Sequence, residues 1–175
     1  MKSVRIAWVL CAATFIMVAQ HWAATGLAAD LPDGFIADEV VIYKADRTLV
    51  LMKDGQVAKI YPISLGRSPQ GAKTRQGDGK TPEGCFTIDY RNPQSRYHLS
   101  LHISYPDSLA RAQADSLGCS PGGDIMIHGL PNGLGAIGRL HLMRDWTNGC
   151  IAVTNAEIEE IWDACPDGTP VRIEP

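Results

Sequence analysis

Apolar and polar residues alternate along much of the chain with the two-residue period of half-buried strands. Val40-Val41-Ile42-Tyr43 is rich in β-formers, Thr48 to Lys53 continues the pattern, and Asp54-Gly55 predicts a hairpin turn before Gln56 to Ser64. Tyr97 to Ser104 alternates again. Asp124 to Ile127 follows a Pro121-Gly122-Gly123 turn and ends at His128, and Pro170 to Glu174 predicts a last short strand. Helical signals are fewer. Asp107 as N-cap and Gly118 as stop bracket one helix ending at Leu117. Thr154-Asn155-Ala156-Glu157 is a capping box; it predicts a second helix to about Ala164, with Ile158, Ile161 and Trp162 on its apolar side. The sum is an α+β, β-rich fold with a few short helices.

The first 29 residues break this pattern. Lys2 and Arg5 precede an apolar run from Ile6 to Val18, and small residues follow at Ala23, Ala24, Gly26, Ala28 and Ala29, as in a secretory signal peptide. The run is shorter than the roughly 20 residues a membrane span needs, and Cys11 within it lacks a lipobox. Cleavage near Ala28 or Ala29 leaves residues 30–175 as one exported domain, and losing the two leader cations takes the formal net charge from −3 to −5. With no basic run, nucleic acid is a poor partner.

Export exposes four cysteines, Cys85, Cys119, Cys150 and Cys165, to an oxidising compartment. If Cys150 is catalytic, at most one disulfide forms among Cys85, Cys119 and Cys165, and the pairing stays open. No spacing matches a zinc site, and His98 and His102 fall on one face of an alternating strand. Neither a metal nor a cofactor is expected.

Candidate chemistry centres on Thr147-Asn148-Gly149-Cys150-Ile151 and, 22 positions before the cysteine, His128. An ordinary thiol is only a few per cent ionised at neutral pH, so a cysteine nucleophile needs a base or oriented N–H groups. His128, at a strand end beside glycine, can be held rigidly and still reach a substrate. Gly149 permits close approach or positive φ, which would turn backbone N–H groups around Cys150 toward a developing oxyanion. His141 competes as base. Asp145 and Trp146 are read first as packing or surface residues, and Asn155 as a tie for the helix or the catalytic turn. The loop from Gly66 to Gly84 carries Arg67, Lys73, Arg75 and Lys80; it lacks the phosphate-loop pattern and reads first as solvated surface, with substrate carboxylates as the functional alternative.

Ile127-His128-Gly129, Thr147-x-Gly149-Cys150-Ile151 and Asn155 resemble the signature of the L,D-transpeptidase catalytic domain, the YkuD family. Gly71-Ala72-Lys73, Gly77 to Gly84 and Ser120 to Asp124 resemble its YafK branch, so that the similarity spans about residues 39 to 174. The resemblance implies a peptidoglycan-modifying cysteine acyl transferase in the periplasm, with Cys150 as nucleophile, His128 as general base, Gly149 at the backbone oxyanion site, and Cys85 to Ile88 as a core strand. It implies peptidoglycan stem peptides as partners and leaves the substrate-binding residues unassigned. Asn148 stands where most members have histidine, Ala152 where an arginine commonly follows, and the His128–Cys150 segment is a few residues longer than usual.

Those departures keep an amidase or hydrolase in view, one that releases an envelope lipoprotein or cross-links through the same thioester. A non-catalytic peptidoglycan-binding module and a redox protein are the rivals of other classes; the retained Cys150 and His128 oppose the first, and the lack of Cys-x-x-Cys opposes the second.

Overall fold

The computed structural model describes residues 30–175, so the proposed signal peptide lies outside the described residues. The expected first hairpin is present as β1 (Glu39–Tyr43), β2 (Thr48–Lys53) and β3 (Gln56–Pro62), with Asp54 and Gly55 both at positive φ in the turn. Next come β4 (Gly84–Ser95), β5 (His98–Ile103), α1 (Ser108–Ser116), β6 (Met126–His128), a 3₁₀ segment (Gly135–Met143), β7 (Ile151–Ala152), α2 (Asn155–Ala164) and β8 (Pro170–Glu174). The strands form one mixed sheet in the order β3-β2-β1-β8-β4-β5-β6-β7. β8 runs parallel to β1 and antiparallel to β4, so the end of the chain joins the sheet's two halves.

Both helix starts follow their local chemistry. Asp107 accepts from the Ala110 N–H at 2.8 Å, and Gly118 follows α1 at φ 63°. Thr154 and Glu157 form the reciprocal capping box of α2. One face of α2 buries Ile158, Ile161 and Ala164 against a core that includes Ile42, Leu51, Ile88, Leu101, Ile103, Ile127 and Ile151. Fully burying one such aliphatic side chain contributes about 1.5–3 kcal/mol, which is ample to fix a ten-residue helix. α2 also packs hard on the chain after His128. A Cβ at Gly129 would stand 2.9 Å from Ile158 Cγ2, so glycine is required there.

Two elements differ from expectation. β4 continues to Ser95, far past Ile88, because register shifts at Ile88/Tyr90 and Asn92/Ser95 absorb residues that break the alternation, Pro93 among them. The segment after His128, expected as a flexible connection, includes a 3₁₀ stretch broken at Gly138, where φ is 49°.

Candidate active site

The site is built at the β6–β7 end of the sheet. β6 and β7 pair in parallel, with Ile127 opposite Ile151 and His128 opposite Ala152. Ala152 is bridged on its other side by Ser64, through paired backbone hydrogen bonds of 2.8 and 2.9 Å. Extending the ladder by one residue puts Cys150 beside Met126. Residues two apart on a strand share a face, so Cys150 and His128 stand diagonally on one side of the sheet despite their separation in sequence.

His128 is buried, with its ring held on three sides. Nδ1–H donates to the Gly129 carbonyl at 2.6 Å, which leaves Nε2 as the unprotonated nitrogen. Tyr97 packs tilted against the imidazole at 4.4 Å between ring centroids, and Trp146 approaches edge-on at 5.8 Å. Burial pushes the imidazole down to about 4; the Gly129 hydrogen bond works against this and nearby His141 reinforces it. At neutral pH the ring is therefore an uncharged base.

Cys150 is half-buried, and its thiol donates to the Asp124 carbonyl at 3.5 Å, not to His128. Burial raises its pKa and the Asp124 carboxylate adds to this, whereas the Met126 N–H and the Lys73 ammonium favour the thiolate. Gly149 sits at φ 132°, and a Cβ there would lie 2.6 Å from the Lys80 carbonyl oxygen. The close approach expected of this glycine is thus made to the protein's own polar loop. Its N–H, expected to face an oxyanion, donates instead to Thr147 Oγ1 at 3.1 Å, while the Thr147 hydroxyl donates to the Cys150 carbonyl at 2.7 Å. The turn before β7 is fixed by these bonds, which engage the Gly149 N–H.

Other candidates are placed as follows. Asp145 orients no imidazole; it accepts from the Arg47 guanidinium and from the Leu65 N–H. Asn155 ties the turn after His128, its Oδ1 accepting from the Leu130 N–H at 2.9 Å, while Thr154 caps the helix. His141 is buried with Nδ1 against Ser64 Oγ at 3.2 Å, and its Nε2 has no hydrogen-bond partner. Together with Trp146, Pro131, Leu134, Leu140 and Met143 it lines an apolar groove of about 570 Å³. His98 and His102 pair with Glu159 and Asp89. Among the described residues no group of three or more His, Cys, Asp or Glu is arranged to hold a metal ion, and all four cysteines are free thiols.

Sequence reasoning missed Tyr97, which read only as the start of a strand; it reaches His128 because the β4–β5 turn runs beside the chain that follows β6, with the Gly129 and Asn132 N–H groups donating to the Leu99 and Arg96 carbonyls. It also took Lys73 for a solvated cation, whereas the side chain is buried on Asp78.

The L,D-transpeptidase catalytic domain (YkuD) family model matches residues 37–173. YafK of Escherichia coli (strain K12), which is named as a candidate L,D-transpeptidase, is 33% identical over 130 residues, covering 70% of this chain and 45% of YafK. The chain therefore spans about half the length of that relative. Among solved structures, the helical cell shape determining protein Pgp2 of Campylobacter jejuni aligns at TM-score 0.59 and 27% identity, over 89% of this chain and 54% of Pgp2. An L,D-transpeptidase from Xylanimonas cellulosilytica DSM 15894 shares the fold at TM-score 0.51 and 19% identity, over 90% of this chain and 69% of that one. With the order of its motifs matched across nearly all the described residues, the chain belongs to the L,D-transpeptidase catalytic domain (YkuD) family.

Proposed function

We propose that residues 30–175 are a peptidoglycan-modifying cysteine acyl transferase, exported to the periplasm by residues 1–29. The observation that carries this reading is the fixed tautomer of His128: Nδ1–H is committed to the Gly129 carbonyl, and the β6–β7 register puts residues 128 and 150 on one sheet face. The reaction requires the sulfur to leave the Asp124 carbonyl for Nε2. Nε2 takes the thiol proton, and the sulfur attacks an amide carbonyl carbon of a stem peptide. The imidazolium formed is held by the Gly129 carbonyl, and the oxyanion is met by the Cys150 N–H, with Gly149 letting the turn come close. Collapse breaks the C–N bond, the imidazolium protonates the departing amine, and a thioester remains on Cys150. Neutral groups on both sides at rest make this a general-base mechanism and not a preformed ion pair.

The second nucleophile decides the product. An amine from another stem peptide or from a lipoprotein lysine gives transpeptidation; water gives hydrolysis and release. The apolar groove beside Trp146 lies on the His128 side and supports entry of a second reactant there.

The test is the product profile of sacculi, with and without attached lipoprotein, after incubation with the mature protein and with Cys150→Ala. New cross-links or newly attached lipoprotein, lost in the variant, establish the transferase. Release without new bonds establishes the hydrolase. Identical profiles for the two proteins would sink the Cys150 mechanism and leave a peptidoglycan-binding module.

A further inference from the structure

The row of the sheet that carries the thiol continues past β6. Cys150 Sγ meets the Asp124 carbonyl at 3.5 Å and the Met126 N–H. Met126 pairs with His102 on β5, and His102 pairs with Tyr90 on β4. Residues paired across strands share a face, so Met126, His102 and Tyr90 run outward from Cys150 in one line. The neighbouring row, Ile151, Ile127 and Leu101, is wholly buried on the opposite face, and Arg91 extends it onto the Trp162 ring of α2. The thiol's row is instead partly open to solvent at each position, and it ends at Tyr90, which is 43% exposed.

The far end of this line is braced. Asp89 is the extra residue of a β-bulge between Ile88 and Tyr90, which brings its carboxylate to the side that Tyr90 occupies. There it accepts from His102 Nδ1–H, while the Tyr90 ring stacks on the imidazole at 4.8 Å between centroids and 19° between planes. Burial pushes the Tyr90 hydroxyl up, and the Asp124 and Asp89 carboxylates add to this. Asp124 acts on the Cys150 thiol in the same direction, so its charge is felt at both ends of the line. Neighbouring strands lie about 4.8 Å apart, which puts β4 about 14 Å from β7. An extended peptide covers that distance in about four residues. In peptidoglycan the stem is joined to an amino sugar at its N-terminal end, so a stem attacked at about its third residue brings that sugar to Tyr90. We propose that Tyr90 is a platform for the sugar: a pyranose C–H face stacks on the exposed ring, and Asp89 and Asp124 accept from hydroxyl and amide hydrogens at its edge. The proposal rests on the reading of Cys150 as nucleophile toward stem peptides. An ammonium is also drawn to carboxylates, but it has no need of a flat ring braced by a second one.

The experiment measures affinity by calorimetry for a disaccharide tetrapeptide and for the same tetrapeptide without its sugars, in the Cys150→Ala chain so that neither is consumed. The sugars tighten binding about tenfold. Adding Tyr90→Ala removes that gain and leaves the affinity for the free peptide unchanged, whereas Tyr90→Phe keeps the gain. Absent or equal affinities, or a gain that survives Tyr90→Ala, overturn the proposal. A loss of the same size for both ligands in Tyr90→Ala, abolished once their free amines are acetylated, assigns the ring to an ammonium and also overturns it. If Tyr90→Ala does not fold, NMR of the Tyr90 ring decides: signals that move with the sugar-bearing ligand and stay still with the free peptide support the platform, and any other pattern overturns it. The sacculus profile separates the two ideas. Sugar-dependent binding by a protein that leaves sacculi unchanged defeats the functional reading alone. Processing of sacculi by a protein that binds both ligands alike defeats the Tyr90 role alone.

Discussion

Lys80 presents its carbonyl to Gly149 so closely that a Cβ at 149 would lie 2.6 Å from the oxygen. The polar loop is thus the floor under the turn that carries Cys150, and residue 149 has no room for a side chain. Gly149→Ala must also hold φ near 132°, at a strain of about 1–3 kcal/mol. The expected result is a folded protein with a lower melting temperature and a rate of sacculus processing down about 100-fold, because the sulfur is displaced by a fraction of an ångström or more. Wild-type rates in this variant would mean that the turn is softer than its packing implies.

Stability depends on pH through His128. The ordinary imidazole value is 6.5 and the buried ring is held at about 4. As pH falls below 6.5 the unfolded chain takes up the proton and the folded chain does not. The contribution is whole above 6.5 and is lost toward 4, amounting to about 3 kcal/mol across the window. Burial holds His141 below its ordinary value as well, which acts in the same direction. Urea unfolding at pH 7 and at 4.5 should show the wild type losing about 2 kcal/mol more than His128→Gln. Equal losses would show that the ring does not titrate in this interval.

Tyr97 is what keeps that ring dry on one side. Tyr97→Ala admits water, so the His128 midpoint followed by NMR should climb toward 6.5, while Tyr97→Phe should leave it in place. A midpoint that ignores the alanine would assign the burial to Trp146 instead.

Asn155 satisfies the Leu130 N–H just after His128. Asn155→Ala strands that donor and should cost about 1–3 kcal/mol in urea unfolding, with a matching drop in rate. Asn155→Asp keeps an acceptor oxygen at the same place and should recover most of both.

Thiol reactivity should follow exposure. Cys85 is exposed, whereas Cys165 is fully buried with its thiol pushed up to about 12 by burial. Titration of the native protein with an aromatic disulfide should label Cys85 early and leave Cys165 silent until denaturant is added. Early labelling of Cys165 would mean that the C-terminal end of α2 opens readily.

How much was legible follows from where each signal resides. The capping box at Thr154 and the cap at Asp107 are local hydrogen bonds between near neighbours, so a few residues carry the whole message. His128 and Cys150 were visible as types in context. The groups that place them were not. Gly129 acts through a carbonyl every residue possesses, and Asp124 does likewise. Lys73 reads as a surface cation because nothing beside it in sequence reports that Gly122 will cover its stem. The length of β4 was obscured for a related reason: bulges shift the alternation that would have revealed it.

The strands are unequal in length, and the difference divides the sheet. β1, β2 and β3 offer five to seven residues each to their ladders, whereas β6 offers three and β7 two. His128 ends β6 and Cys150 immediately precedes β7, the two shortest strands. Few backbone bonds must break for that end to open while the long-stranded end stays closed. A chain built this way can let its β6–β7 edge breathe without unfolding. Amides of residues 126–128 and 151–152 should then exchange well ahead of those of residues 40–42 and 49–51, leaving one rigid hand and one yielding one.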